Sequence, residues 1–222
     1  MNPGGLAGIV LAAGRSSRMG GDKALLAYPG EAPDWSEPEA PNFLLACTLK
    51  LRAAGVEVFA VIGFNAMEIA HRCERAAPSL APRWVRNADY ERGEFSSLRA
   101  GAAAVLAGNW AASLVAPVDH PDFAVETAYA LRRAWEASQA AVVKPRFGER
   151  NGHPVLYSRE VLEAILAGPE DRTARDVQAQ FAARTLLCEV DDPGVLANVD
   201  QPADYEGLRA RHQEAKSRPG PR

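Results

Sequence analysis

Short apolar runs alternate with amphipathic segments along the first two thirds of the chain. Continuous apolar runs are typical of strands buried on both faces of a parallel sheet, and segments that are apolar at every third or fourth position are typical of helices packed against it. The runs predict strands over residues 6–13, 56–63, 83–87, 113–118 and 140–144. The amphipathic segments predict helices over residues 43–54, 66–77, 96–106 and 124–137, and Ser96 or Ser97 is expected near the N-cap of the third helix. This alternation indicates an α/β fold with three layers and a doubly wound, mostly parallel sheet.

The pattern changes after residue 145. A turn-rich stretch is followed by short segments that predict strands over 155–157 and 185–190 and helices over 160–166, 173–183 and 203–210. We therefore expect one domain over residues 1–212, in which residues of about 146–200 form an added lobe beside the first half. The polar residues 213–222 are expected to form a disordered tail.

The first predicted strand runs into a glycine-rich, cationic loop. Residues 11–23 read Leu-Ala-Ala-Gly-Arg-Ser-Ser-Arg-Met-Gly-Gly-Asp-Lys. Glycines and serines let the backbone turn tightly and point amide groups at one spot, and Arg15, Arg18 and Lys23 add positive charge. Ligands of doubly wound sheets bind beyond the carboxyl ends of the strands. The stretch therefore predicts a polyphosphate-binding loop, with an ordinary turn carrying solvated basic residues as the alternative.

Neither of the two common nucleotide-binding loops matches this stretch. Gly14 is followed by Arg-Ser-Ser and not by Gly-x-x-Gly, so the dinucleotide fingerprint fails. Lys23 is followed by Ala24, whereas a P-loop needs Gly-Lys-Ser/Thr. A hydride-transfer enzyme and a P-loop hydrolase are both disfavoured.

Residues 11–26 resemble the signature loop of the MobA-like NTP transferases, and within that family most closely the molybdenum cofactor cytidylyltransferases. The resemblance implies a nucleotide-diphospho-sugar transferase-like variant of the Rossmann fold, with a nucleotide half over about 1–145 and an acceptor lobe over about 146–200. It implies catalytic roles for Arg15 and Lys23. The residues of this stretch that it assigns to the nucleotide are Leu11, Ala12, Ala13, Gly14, Arg15, Ser16 and Lys23.

Two aspartates are candidate metal ligands. Asp119 ends a buried strand, and Asp119-His120-Pro121 resembles the family's Asp-x-Pro metal motif. A triphosphate needs a divalent cation, and Mg²⁺ is held by one or two carboxylates plus phosphate oxygens. Residues 198–205 resemble the family's closing segment and place Asp200 on its second metal aspartate, with Asn198 in place of the first. As alternatives, either aspartate caps the helix that follows it, or Asn198 is a weaker ligand.

The segment 87–98 resembles the part of the family that contacts the nucleotide. It reads Asn-Ala-Asp-Tyr-Glu-Arg-Gly-Glu-Phe-Ser-Ser-Leu. Amides and hydroxyls there can read the edge of a base, so Asn87 and Ser97 are expected to contact the nucleotide. Asp119 is expected to do so through the metal, and Asn65 is a weaker candidate.

Two residues beyond position 150 are candidates for the acceptor. His153 lies in Gly-His-Pro-Val, a segment that resembles the family, and is expected to face the acceptor; a structural histidine is the alternative. Arg175 is expected to bind an anion of the acceptor, whereas Arg172 stands where the family has glycine and fits a solvated helix face.

The predicted reaction is Mg²⁺-dependent transfer of CMP from CTP to a phosphate acceptor. The resemblance suggests molybdopterin as that acceptor and leaves room for a molybdoenzyme partner. Ala13 adds a methyl where guanylyl members carry glycine, which favours the smaller pyrimidine base. The alternatives are GTP as donor, cytidylyl or uridylyl transfer to a sugar or polyol phosphate, and a non-catalytic chaperone that delivers the cofactor.

Composition limits the partners and the cellular compartment that we expect for the protein. The 222 residues carry a net charge of −3, which gives no basic field for nucleic acid. No apolar run approaches a membrane span, no export signal is visible at the start of the chain, and three scattered cysteines fit a reducing compartment. We expect a cytoplasmic protein that binds neither nucleic acid nor membranes. The proline-rich, acidic residues 29–42 predict a surface loop, either inert or a lid.

Overall fold

A mixed sheet with helices on both faces forms the framework of the protein. The computed structural model describes residues 4–32 and 40–217, and its strands in those residues are β1 Leu6–Ala12, β2 Glu57–Ile62, β3 Arg83–Arg86, β4 Ala112–Pro117, β5 Val142–Phe147, β6 Arg150–Asn151, β7 Val155–Ser158 and β8 Thr185–Glu189. The α-helices are α1 Phe43–Ala53, α2 Ala66–Ala76, α3 Glu94–Leu106, α4 Val125–Ser138, α5 Arg159–Ala167, α6 Ala174–Gln180 and α7 Pro202–Ser217. Short 3₁₀ helices cover Lys23–Leu25, Pro78–Leu80, Tyr90–Arg92, Ala182–Arg184 and Pro193–Leu196.

The sheet runs in the order β3-β2-β1-β4-β7-β5, and β8 pairs with β5. Strands β3, β2, β1 and β4 are parallel, and Val10 of β1 is the partner of both Ala60 and Ala116. Strand β7 is antiparallel to its neighbours β4 and β5. Because β1 and β4 are parallel neighbours, the segments that follow them begin side by side at one edge.

Residues 146–200 add strands to this same sheet, and their role as an acceptor lobe stays a prediction. Strand β7 lies within the sheet, and buried Leu156 and Tyr157 pair with residues of both β4 and β5. Strand β7 lies between β4 and β5 because its apolar side chains need to be covered on both faces of the sheet.

Two hydrophobic cores confirm the three-layer arrangement. Val10 faces the core under α1 and α4, and Ile9 faces the core under α3 and α5. At Gly101 helix α3 comes so close to β1 that a Cβ atom there would lie 2.7 Å from the Cγ2 atom of Ile9. This close approach seats the middle of α3 on the middle of β1.

The start of α3 and the end of α7 differ from the sequence prediction. Helix α3 begins at Glu94, and its N-cap is Gly93 and not Ser96 or Ser97, because the Ser96 hydroxyl donates to backbone carbonyls of residues 89 and 93. Helix α7 continues to Ser217, so residues 213–217 of the expected tail are helical. Helix-forming residues there extend a helix that is anchored by buried Leu208. Residues 218–222 lie outside the described part.

The loop predicted over residues 29–42 is described only at its two ends. The backbone amide of Tyr28 donates to the Pro41 carbonyl at 2.7 Å, so these ends lie together. Residues 33–39, which would separate a lid from an inert insertion, lie outside the described residues. Within residues 4–32 and 40–217 no helix is both long enough and apolar enough to cross a membrane.

Candidate nucleotide-binding site

A cleft of about 190 Å³ opens where β1 and β4 end. Most of the predicted nucleotide residues meet there: Leu11, Ala12, Ala13, Gly14, Ser16, Lys23, Ser97 and Asp119 line its wall. The parallel pairing of β1 with β4 explains why the glycine-rich loop and Asp119 come together from distant parts of the sequence.

The loop after β1 is closed by a hydrogen bond across its neck. The backbone amide of Lys23 donates to the Ser16 Oγ at 3.1 Å, and Ser16 holds a left-handed backbone with φ of 50°. A Cβ atom added at Gly14 would have no neighbour within 4 Å. The backbone at Gly14 therefore faces open space in the cleft, where a phosphate group can approach it.

Lys23 joins the two predicted metal aspartates. Its Nζ lies 3.3 Å from Asp119 Oδ2 and 2.6 Å from Asp200 Oδ1, and the residue is only 8% exposed. The hydrogen bond and the charge of Lys23 lower the pKa of the Asp200 carboxyl, so that it is ionised at neutral pH. Two carboxylates within reach of one ammonium group fit the oxygen ligands that Mg²⁺ prefers.

The backbone holds Asp200 beside Asp119. The amide of Val199 donates to the Asp119 carbonyl at 2.8 Å. The Asp204 carboxylate accepts the backbone amides of residues 200 and 201, which leaves the Asp200 side chain for Lys23 and for Arg18 at 2.6 Å. Asp200 and not Asn198 therefore contacts Lys23.

The two carboxylates do not make a complete metal cage alone. Across residues 4–32 and 40–217, no group of three or more His, Cys, Asp or Glu side chains is arranged to hold a metal. Mg²⁺ commonly takes one or two carboxylates and completes its shell with phosphate oxygens and water. The pair therefore suits a cation that arrives with a triphosphate.

Asn87 lies behind one wall of the cleft and holds the serines of that region by hydrogen bonds. It is buried, and its side-chain amide donates to the hydroxyls of Ser96 at 2.9 Å and Ser97 at 3.1 Å. Its Oδ1 accepts the backbone amide of Asp89 at 2.9 Å. These bonds fix Ser97 at the cleft, while Asn87 is not part of the wall; its contact with a nucleotide stays a prediction.

Arg15 and Asn65 also lie outside the cleft wall. Arg15 pairs with Glu91, and its guanidinium lies 5.3 Å from the ring centre of Phe64. Asn65 has a left-handed backbone, and its side chain donates to Asp22 Oδ2 at 3.1 Å. Their predicted contacts with the nucleotide stay predictions.

The predicted acceptor residues lie beyond Asp119. The rings of His153 and His120 have centres 4.6 Å apart, and burial lowers the pKa of both, to about 3 for His153. Arg175 is exposed on α6 near Lys144, and burial together with the charge of Arg175 lowers the pKa of Lys144. The structure thus groups two imidazoles and two cations on this side, and the acceptor roles of His153 and Arg175 stay predictions.

Several residues at the site were not predicted from the sequence. Tyr90 and Glu94 line the cleft, and Arg18 contacts Asp200. Tyr90 and Glu94 fall inside the segment 87–98, so their position in the sequence was an available signal. Arg18 was visible as a loop cation, but its partner lies far along the chain.

Comparison with known proteins agrees with the geometry. The family model described as the MobA-like NTP transferase domain matches residues 8–185. The molybdenum cofactor cytidylyltransferase of Escherichia coli K12 is 26% identical over 206 residues, which are 93% of this chain and 96% of that protein. The crystal structure of Rv0371c from Mycobacterium tuberculosis has a TM-score of 0.69 and 25% identity, covering 95% of this chain and all (100%) of that one.

A nucleotidyl transferase from Methanothermobacter shares the fold as well. It has a TM-score of 0.70 and 22% identity, and the match covers 95% of this chain and 98% of that chain. A glycine-rich loop, a joined pair of aspartates and a family match over most of the chain lead to one conclusion: the protein belongs to the MobA-like NTP transferase family and is a nucleotidyltransferase.

Proposed function

We propose that the protein transfers CMP from CTP to the phosphate of a molybdopterin-type acceptor in a Mg²⁺-dependent reaction. The observation that carries this proposal is the contact of one buried lysine, Lys23, with both Asp119 and Asp200 beside the loop that follows β1. The name of the Escherichia coli relative supports the choice of nucleotide and acceptor.

The chemistry needs positioning and charge rather than a covalent nucleophile. A phosphate oxygen of the acceptor attacks the α-phosphorus of CTP, the bond from that phosphorus to the bridging oxygen breaks, and pyrophosphate leaves. The loop from Gly14 to Lys23 binds the phosphates, and Asp119 and Asp200 would hold Mg²⁺. Bound there, Mg²⁺ supplies positive charge that offsets the repulsion between the two anionic substrates.

Lys23 stabilises the charge that develops on the transferring group. Its ammonium is fixed by two carboxylates and lies almost out of contact with water. A preorganised cation in such a place acts more strongly than one in water. This arrangement supports a catalytic role for Lys23.

The side chain of Ala13 favours CTP over GTP. Ala13 lies on the cleft wall and adds a methyl group where guanylyl members carry glycine, which favours the smaller pyrimidine. One methyl group discriminates by only about 1–3 kcal/mol. Other contacts must therefore share in the choice of base.

Release of pyrophosphate from each of the four nucleoside triphosphates, with and without molybdopterin, tests the proposal. We expect release only when CTP and molybdopterin are both present. Faster release from GTP would indicate a guanylyltransferase, and release only with a sugar or polyol phosphate would identify a different acceptor. Tight nucleotide binding with no release would favour the delivery chaperone.

A further inference from the structure

The carboxylate of Glu94 is a feature of the cleft that phosphate binding does not use. Glu94 is the first residue of α3 and lines the same cleft as Ala13, Tyr90 and Ser97. Glu94 is exposed to solvent on one side, and its partial burial, followed by the negative charge of Asp119, raises the pKa of this carboxyl. Within the part of the chain that the structure describes, no side chain hydrogen-bonds or ion-pairs with it.

The wall around Glu94 suits a flat heterocycle better than a phosphate. The residues that line the cleft with Glu94 include Ala13, Tyr90 and Ser97, which are a small apolar residue, an aromatic residue and a hydroxyl-bearing residue. The cations that suit phosphates are instead on the loop, where Lys23 and Arg18 hold Asp200. A carboxylate beside such a wall repels phosphate oxygens and suits a neutral group that donates hydrogen bonds.

We propose that Glu94 is a specificity-determining residue that accepts a hydrogen bond from the 4-amino group of cytosine. This inference rests on the proposed function and deepens it, because it names the contact that separates CTP from UTP. Cytosine carries an amino donor at the position where uracil carries a carbonyl oxygen, and a carboxylate accepts from the first and repels the second.

The backbone keeps Glu94 in this position. Gly93 precedes it with φ of 96°, a conformation that residues with a side chain rarely adopt. Behind it, Asn87 ties Ser96 and Ser97 to the turn, and Gly101 seats the helix on β1. A residue that reads a base must be held in this way, since its own rotation would otherwise weaken discrimination.

Binding of CTP and UTP in the presence of Mg²⁺, measured by calorimetry at mildly alkaline pH without acceptor, tests the inference. In the unchanged protein we expect CTP to bind at least about tenfold more tightly than UTP. In Glu94→Gln this ratio should fall at least about tenfold, because the amide can donate to the uracil oxygen as readily as it accepts from cytosine. Glu126→Gln, an acidic residue in the first turn of α4, is the matched control and should keep the original ratio.

A ligand-side change makes the test independent of how the variant folds. The CTP analogue that lacks the 4-amino group should bind the unchanged protein at least about tenfold more weakly than CTP does, and should lose much less in Glu94→Gln. If Glu94→Gln weakens CTP and UTP by the same factor, or leaves the ratio unchanged, the inference is wrong while the proposed function stands. If the unchanged protein binds no nucleoside triphosphate, both are wrong.

Discussion

Two buried lysines differ in what they do for the molecule, although both are almost out of contact with water. Lys23 is 8% exposed and is held between two carboxylates at the cleft. Lys50 is 4% exposed, and its Nζ donates to the Tyr28 hydroxyl and to the Pro121 carbonyl, each at 2.7 Å. Lys23 pairs directly with two carboxylates, whereas Lys50 contacts neutral oxygens directly and has the charges of Asp122 and Asp192 farther away, and burial lowers the pKa of Lys50 to about 8.

Removal of the Lys23 ammonium should disable the reaction. Lys23→Ala leaves Asp119 and Asp200 without their shared partner and the phosphates without a fixed cation. We expect pyrophosphate release at saturating CTP to fall on the order of a hundredfold or more. Lys216→Ala, which removes an exposed lysine of α7, is the matched control and should retain normal turnover. Near-normal turnover of Lys23→Ala would exclude the catalytic role.

Lys50 should make stability depend on pH in the alkaline range. Between its folded pKa of about 8 and its ordinary value of 10.5, the folded protein has released a proton that the unfolded chain still binds. Stability rises with pH wherever the unfolded state binds more protons. In urea unfolding, wild type should therefore gain about 1 kcal/mol per pH unit relative to Lys50→Met across this window.

The same series needs a control for other groups that titrate there. Lys216→Met, at an exposed position of α7, should give a stability curve parallel to that of wild type. If the curve of Lys50→Met is also parallel to that of wild type between pH 8 and pH 10.5, Lys50 is not the buried charge that its contacts indicate.

Side-chain contacts could be predicted from the sequence only where the backbone brings the two residues together. The meeting of Lys23 with Asp119 was predictable, because each follows a buried strand and neighbouring parallel strands end at one edge. The pairing of Arg15 with Glu91 was not, because a long side chain can turn to several partners and the sequence does not fix its rotamer. The hydrogen bonds of the Asn87 side chain could not be predicted either, because the sequence does not fix its rotamer.

Among the elements, α3 contributes Glu94 and Ser97 to the cleft wall, and its fit on β1 depends on Gly101. A side chain at this position would collide with Ile9 and Val61. Gly101→Val should therefore cost about 1–3 kcal/mol in the free energy of unfolding, measured with urea. Ala103→Val, at an exposed position of the same helix, controls for the helix propensity of valine and should cost less than about 1 kcal/mol. Equal losses at the two positions would show that the close approach does not limit packing.

Apolar runs located the buried strands well, because β1, β2 and β4 are covered on both faces. Strand β6 was missed, since two exposed polar residues carry no hydrophobic signal. The start of α3 was placed two residues late, because two serines look like a cap while Gly93 is the residue that serves as one. The place of β7 between β4 and β5 depends on contacts far apart in sequence, which local patterns do not encode.

Across the whole molecule, three distant segments build one site. The loop after β1, the end of β4 and the residues before α7 meet at Lys23, Asp119 and Asp200. Helix α7 secures the third segment, because the Tyr205 hydroxyl donates to the Ala27 carbonyl at 2.8 Å and His212 lies 2.6 Å from Asp122. Helix α7, near the end of the chain, is therefore hydrogen-bonded to the segment that follows the glycine-rich loop.

We propose above all that the loop after β1 binds the phosphates of a nucleotide, and that Asp119 and Asp200 share the metal ion bound to those phosphates. The most direct test is a crystal structure with a non-hydrolysable CTP analogue and Mn²⁺, with diffraction recorded at the manganese absorption edge. We predict one anomalous peak in contact with both Asp119 and Asp200, with the phosphates against residues 14–23. A manganese peak away from these carboxylates, or a nucleotide bound away from that loop, would contradict the account.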